Sequence, residues 1–174
     1  QLQVLTTTQL NALETEDFAS MNDAQITGLT TAQVQALSVA AVTAMSTGQI
    51  AALTTDQTAS LTNAQVAALT TANMQQLSND QVASITSAAV KGLTTDQIST
   101  LKTAQLAAMT TAQVASMSTG QVAALTTGQV AVLTANEVKS LTTSQVQALA
   151  STQVNALTNA NVAAMTTTQV ASLT

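Results

Sequence analysis

Apolar residues recur along this chain with a spacing of eight residues. A Leu, Met or Ile stands at every eighth position from Leu5 to Leu173, with no insertion or deletion. The segment from Leu5 to Ser172 therefore holds 21 complete octads with the consensus L-T-T-x-Q-V-x-A, numbered 1 to 8 from the Leu. The partial octads at both ends indicate one continuous array over residues 1–174 that is a fragment of a longer chain. An array of this kind is stabilised by packing of each unit on its neighbours.

One long helix does not accommodate this pattern. Eight residues at about 100° each advance the apolar positions by about 80° beyond two full turns, so no fixed apolar face forms. A β-solenoid is an alternative, because Thr and Val favour strands. However, positions 8 and 1 are adjacent and both apolar, which breaks the alternation of a strand once in every octad. The scarcity of turn residues, with five Gly and no Pro, also weighs against strands.

A short helix in each octad explains more positions. Thr at position 2 and Gln at position 5 form the spacing of a capping box, and the apolar residues at positions 1 and 6 form that of a hydrophobic staple. We place these roles on two representative octads, whose residues are Leu29, Thr30, Gln33, Val34, Leu125, Thr126, Gln129 and Val130. The prediction is an all-α solenoid with one capped helix per octad, from about position 3 to position 8.

The number of octads in one coil of the solenoid is not given by the pattern itself. Two octads per coil would pair short antiparallel helices, whereas three would make a wider, triangular coil. We favour two, because residues at positions 1, 6 and 8 fill only a thin core.

Composition excludes most chemistry. The chain has no His, Cys, Arg, Trp, Tyr or Pro, and its net charge is −5. Without His or Cys, common zinc and copper sites and the His-based nucleophile systems are absent. Three Lys and no base-stacking aromatics argue against nucleic-acid binding. No apolar run is long enough to span a membrane. We expect a protein without enzymatic activity, cofactor, metal or small-molecule substrate.

Two local features depart from the plain repeat. Glu14, Glu16, Asp17 and Asp23 form an acidic cluster that suits either a weak calcium site or the first turns of helices, and we favour the helix turns. Thr58 is the one polar residue at position 6, where it is either a defect in the core or a hydrogen-bonded side chain.

The segments LTTAQVQAL (Leu29–Leu37) and AALTTGQVAVLT (Ala123–Thr134) resemble octad arrays of very large secreted bacterial surface proteins, often labelled adhesins. The resemblance covers the whole chain, carries no catalytic residues, and implies an extracellular or cell-surface location.

We therefore expect a structural shaft or filament segment that associates with itself, end to end or laterally. The alternative is a ligand-binding array, adhesive or ice-binding, that uses the repeated Thr/Gln face. Its candidate residues at position 3 are Thr31, Thr55, Thr111, Thr127 and Thr143.

Overall fold

The computed structural model describes residues 2–173, which fold into short helices joined by short turns. A 3₁₀ turn, Leu2–Val4, precedes 21 α-helices within the described residues, one per octad. No strand occurs in residues 2–173, so the prediction of an all-α solenoid is confirmed and the β-solenoid alternative is wrong. The helices are α1 Thr7–Asn11, α2 Thr15–Ser20, α3 Asp23–Thr27, α4 Thr31–Ala36, α5 Val39–Ala44, α6 Thr47–Ala52, α7 Thr55–Ser60, α8 Asn63–Ala68, α9 Thr71–Gln76, α10 Asn79–Ser84, α11 Ser87–Val90, α12 Thr95–Thr100, α13 Thr103–Ala107, α14 Thr111–Ser116, α15 Thr119–Ala123, α16 Thr127–Ala131, α17 Ala135–Ser140, α18 Thr143–Gln147, α19 Ser151–Val154, α20 Asn159–Ala164 and α21 Thr167–Ala171.

Each helix ends because position 1 of the next octad leaves the helical conformation. Leu37 has φ −57° and ψ 138°, and its N–H closes the last turn by donating to the Val34 carbonyl at 3.2 Å. Thr or Ser at position 2 then has an extended backbone and begins the next helix, as Ser38 does. Two extended residues between helices are enough to turn the chain, and no described residue adopts a positive φ.

Helices three octads apart pack against each other all along the array. One coil therefore contains three octads, so the prediction of two octads per coil is wrong and the triangular coil is correct. The thin-core argument failed because Gln at position 5 is also interior: from the second coil on, the glutamines at this position, Gln33 to Gln169, are only 1–4% exposed. An additional buried side chain per octad fills the wider coil.

The 21 described helices make seven coils with three sides, named here for the helices they carry. The first side carries α1, α4, α7, α10, α13, α16 and α19. The second side carries α2, α5, α8, α11, α14, α17 and α20. The third side carries α3, α6, α9, α12, α15, α18 and α21.

The core is one continuous column of position-1 and position-6 side chains. In the octads quoted above, Leu29, Val34, Leu125 and Val130 are all buried in the same apolar cluster. Burial of each such side chain contributes about 1.5–3 kcal/mol. Helices of four to six residues are unstable alone, since helix nucleation is costly. The column therefore supplies the stability that the isolated helices lack.

Candidate functional site

In octads with Thr at position 2 and Gln at position 5, these two residues form a reciprocal cap at the start of the helix. Thr30 Oγ1 accepts from the Gln33 backbone N–H at 3.2 Å, while Gln33 Oε1 accepts from the Thr30 N–H at 2.9 Å. Thr126 and Gln129 have the same arrangement at 3.2 and 2.7 Å. Two donors that a helix start leaves unpaired are thus satisfied by each Thr–Gln pair.

The Gln half of the cap persists where position 2 has no hydroxyl. Lys102 and Ala150 both occupy N-cap positions. Their backbone N–H groups still donate to Gln105 Oε1 at 2.8 Å and Gln153 Oε1 at 2.7 Å. Gln at position 5 therefore contributes to helix initiation independently of the Thr.

The other end of the Gln amide joins successive coils. Gln129 Nε2 donates to the carbonyls of Ile98 and Leu101, both at 2.8 Å. Gln57 Nε2 donates in the same way to Ile26 at 2.9 Å and Leu29 at 2.7 Å. The acceptors lie at the end of a helix in the preceding coil, where the Ile98 carbonyl also accepts from the Leu101 backbone N–H at 3.2 Å. We call this pair of hydrogen bonds the glutamine bridge.

Sequence reasoning found the cap but missed the bridge. The two polar atoms of one buried amide have different partners. The oxygen accepts from the N-cap backbone of its own helix, and the nitrogen donates to carbonyls at a helix end in the preceding coil. A glutamate with the same shape can form only the first contact when ionised, since a carboxylate has no hydrogen to donate. The preference for Gln over Glu at position 5 was therefore evidence of an acceptor at the amide nitrogen.

The spacing of the residues other than Gln at position 5 also indicates the length of one coil. Within the complete octads, six residues at position 5 are not Gln, and five of them are separated by whole multiples of three octads. Those five are Asp17, Ala41, Ala89, Glu137 and Asn161, and Asn73 is the other. This longer period equals one coil, and it places the five residues on the second side of the solenoid.

The candidate Thr residues at position 3 are exposed but do not form one surface. Thr31, Thr55 and Thr127 lie on the first side, Thr111 on the second and Thr143 on the third. Among the described residues, the longest continuous exposed row is on the third side, where Thr repeats on six successive coils. Its members are Thr47, Thr71, Thr95, Thr119, Thr143 and Thr167.

The acidic residues near the start of the chain serve helix starts. Asp17 Oδ2 accepts from the Glu14 backbone N–H at 2.9 Å, which is the position-5 cap with a shorter side chain. No group of three or more potential metal-binding side chains occurs among the residues that the structure describes. The carboxylates thus have the first-turn role that suits the helix dipole.

Thr58, the polar residue at position 6, is a hydrogen-bonded side chain and not a defect in the core. Its side chain is fully buried, and its hydroxyl donates to the Thr54 carbonyl at 2.9 Å. The core therefore contains a paired hydroxyl at this place, one helical turn from its acceptor.

No helix in residues 2–173 is long and apolar enough to cross a membrane. Comparison with known proteins gives one kind of match: the ALTTAQ repeat, at residues 10–44, 31–63, 42–71, 66–103 and 100–135. No curated protein and no solved structure matches the chain. The five matches together span residues 10–135, well over half of the sequence, and their name contains the Thr-Thr-x-Gln motif that forms the cap and the bridge. The chain belongs to the ALTTAQ repeat family and is a repeat-based structural segment.

Proposed function

We propose that this array is a shaft segment of an extracellular or cell-surface protein and has no catalytic role. The observation that carries the proposal is the glutamine bridge, which recurs from the second coil to the last described one, as at Gln33 and Gln169. Each further coil adds more of the same apolar core and at least one further glutamine bridge, so the array gains length without gaining a new kind of site. Stability in such arrays is a sum of unit and neighbour contributions.

The shaft proposal is tested by the dimensions of the molecule in solution. Adding one copy of Leu61–Ser84 directly after Ser84 inserts a full coil in register. Small-angle scattering should show the longest dimension increase by about 8–10 Å, the usual distance between packed helices, with an unchanged cross-section. A growing cross-section at constant length would overturn the shaft.

The location is tested separately in the source cell. An antibody raised against the folded array should label intact cells or their medium without permeabilisation. An abundant internal protein should stain only after permeabilisation and serves as the control. Labelling restricted to permeabilised cells would refute the extracellular location and leave the shaft intact.

Self-association end to end belongs to the same proposal. At one end of the described array, Gln9 and Gln25 are exposed, without a preceding coil to bridge. At the other end, Val162 and Val170 are 49% and 47% exposed at position 6, which is buried throughout the middle of the array. An open pocket of about 450 Å³ there is lined in part by Val146, Leu149 and Val154. Gln side chains at one end of the described residues and apolar side chains at the other are thus the kinds of group that join neighbouring coils inside the array.

We propose that a second copy of the chain stacks on this surface through its first coil, in the way that coils stack inside the molecule. Sedimentation should show mass increasing with concentration. The variant Val162→Glu with Val170→Glu should be monomeric. The control is Val39→Glu, which changes a Val that is 46% exposed on the second side and should still associate. A monomer at all concentrations, or equal loss in both variants, would refute end-to-end stacking.

A further inference from the structure

The three sides of the solenoid differ in how many side-chain hydrogen bonds join successive coils. On the first side, all six position-5 residues after the first coil are Gln and donate to the preceding coil. On the third side the same holds for five of six, with Asn73 as the exception. On the second side only Gln65 and Gln113 make the complete bridge.

At the remaining junctions of the second side, the residue at position 5 donates fewer hydrogen bonds to the preceding coil, or none. Ala41 and Ala89 have no amide, so they contribute neither the cap oxygen nor the bridging donor. Asn161 is shorter than Gln and makes one bond, to the Leu133 carbonyl at 2.9 Å. The second side therefore has two complete bridges, one single bond and three junctions with neither, the third being at Glu137.

Glu137 separates the effect of the cap from that of the bridge. Its side chain is 3% exposed, and Oε2 accepts from the Thr134 N–H at 2.6 Å, so the cap of α17 is complete. By the spacing of the other bridges, its partners in the preceding coil would be the carbonyls of Leu106 and Met109. The carboxyl group of Glu137 has no amide N–H to donate, and no hydrogen bond joins it to these carbonyls. This junction thus has an intact helix start and no bridge.

At one unbridged junction of this side, the backbones of successive coils approach closely. A Cβ added to Gly92, three residues after Ala89, would overlap the backbone oxygen of Asn63 in the preceding coil. The glycines inside helices, Gly48, Gly120 and Gly128, would place a Cβ at ordinary contact distances. At the Ala89 junction, the close approach of the two backbones thus leaves no room for a Cβ at position 92.

We infer that the second side is the compliant side of the array, and that the solenoid bends by opening and closing the coil junctions along it. The first and third sides resist this motion, because opening them breaks two buried hydrogen bonds at nearly every coil. At the unbridged junctions of the second side, separation of the coils breaks no glutamine bridge. Bending therefore has a preferred direction, set by the three-octad period of the position-5 residues. The inference depends on the solenoid and not on the proposed extracellular role.

Spin labels can compare the three sides directly, because the chain has no native Cys. Three double variants place labels at position 3, three coils apart in each case. They are Ser87→Cys with Asn159→Cys on the second side, Asn79→Cys with Ser151→Cys on the first, and Thr95→Cys with Thr167→Cys on the third. Double electron–electron resonance spectroscopy should give a broader distribution of label-to-label distances for the second-side pair than for the other two pairs. Equal widths on all three sides would overturn the inference.

Reciprocal substitutions test whether the bridge is the cause. Glu137→Gln supplies a bridging donor without changing the cap, and should narrow the distribution of the second-side pair. Gln129→Glu removes a bridge in the same coil on the first side, and should broaden the first-side pair. Helical circular dichroism close to that of the unsubstituted chain confirms that each variant is folded. A second-side width that Glu137→Gln leaves unchanged in a folded protein would refute the role of the bridge.

Discussion

Replacing one bridging glutamine should cost far more stability than replacing a glutamine that only caps. Gln129 is 1% exposed and makes three hydrogen bonds of 2.7–2.8 Å, one to the Thr126 N–H and two to carbonyls of the preceding coil. Each such bond contributes about 0.5–1.5 kcal/mol, and unpaired buried partners cost about 1–3 kcal/mol. Because the truncation also leaves a void, Gln129→Ala should lower the free energy of unfolding by about 3–5 kcal/mol.

The matched control is Gln9→Ala on the same side of the solenoid. Gln9 accepts from the Thr6 N–H at 2.9 Å but is exposed in the first coil, where the described residues offer no bridging carbonyls. Loss of this cap alone should cost about 0.5–1 kcal/mol. Urea unfolding followed by circular dichroism measures both values. If the two substitutions cost the same, the bridge adds nothing and apolar packing alone holds the coils together.

Three further changes test the coil and its packing. Deleting Leu61–Ser84 removes one complete coil and should leave a folded, shorter array. Deleting only Leu61–Ala64 moves every later apolar residue out of the core and should lower the melting temperature strongly. Equal melting temperatures of the two deletion variants would refute the octad as the structural unit. Gly92→Ala should destabilise the fold by about 1–3 kcal/mol, because the new Cβ would clash with the Asn63 backbone oxygen. Gly120→Ala, at an open site in a helix, should be neutral or stabilising by up to about 1 kcal/mol. Thermal melts of the two variants measure both effects. Thr58→Val should change the unfolding free energy by less than about 1 kcal/mol, since its hydroxyl is paired and the acceptor carbonyl keeps its backbone partner; a larger loss in urea titration would show that the side-chain bond is essential.

The parts of the fold that depend on neighbouring residues could be predicted from the sequence. The helix start at Thr30, its return contact from Gln33 and the staple positions Leu29 and Val34 all lie within one octad, so spacing alone identified them. The number of octads per coil depends on contacts between one coil and the next, which a single octad does not describe. It was missed because Gln was assigned a single role at the helix start. The Thr rows were likewise predicted as exposed positions, but their division among three sides required the coil length.

The glutamine bridge also has a consequence for how the chain acquires its structure during synthesis. Every bridge runs backward, from a newer residue such as Gln65 to carbonyls already present at Val34 and Leu37. A coil emerging from the ribosome therefore finds the acceptors of its glutamine bridges in chain that has already been made. Contacts that span only about one coil favour faster folding than contacts between distant parts of a chain, and each folded coil offers a surface on which the next can pack. Growth of the fold should thus proceed from the N-terminal end one coil at a time, keeping pace with translation whatever the final number of coils.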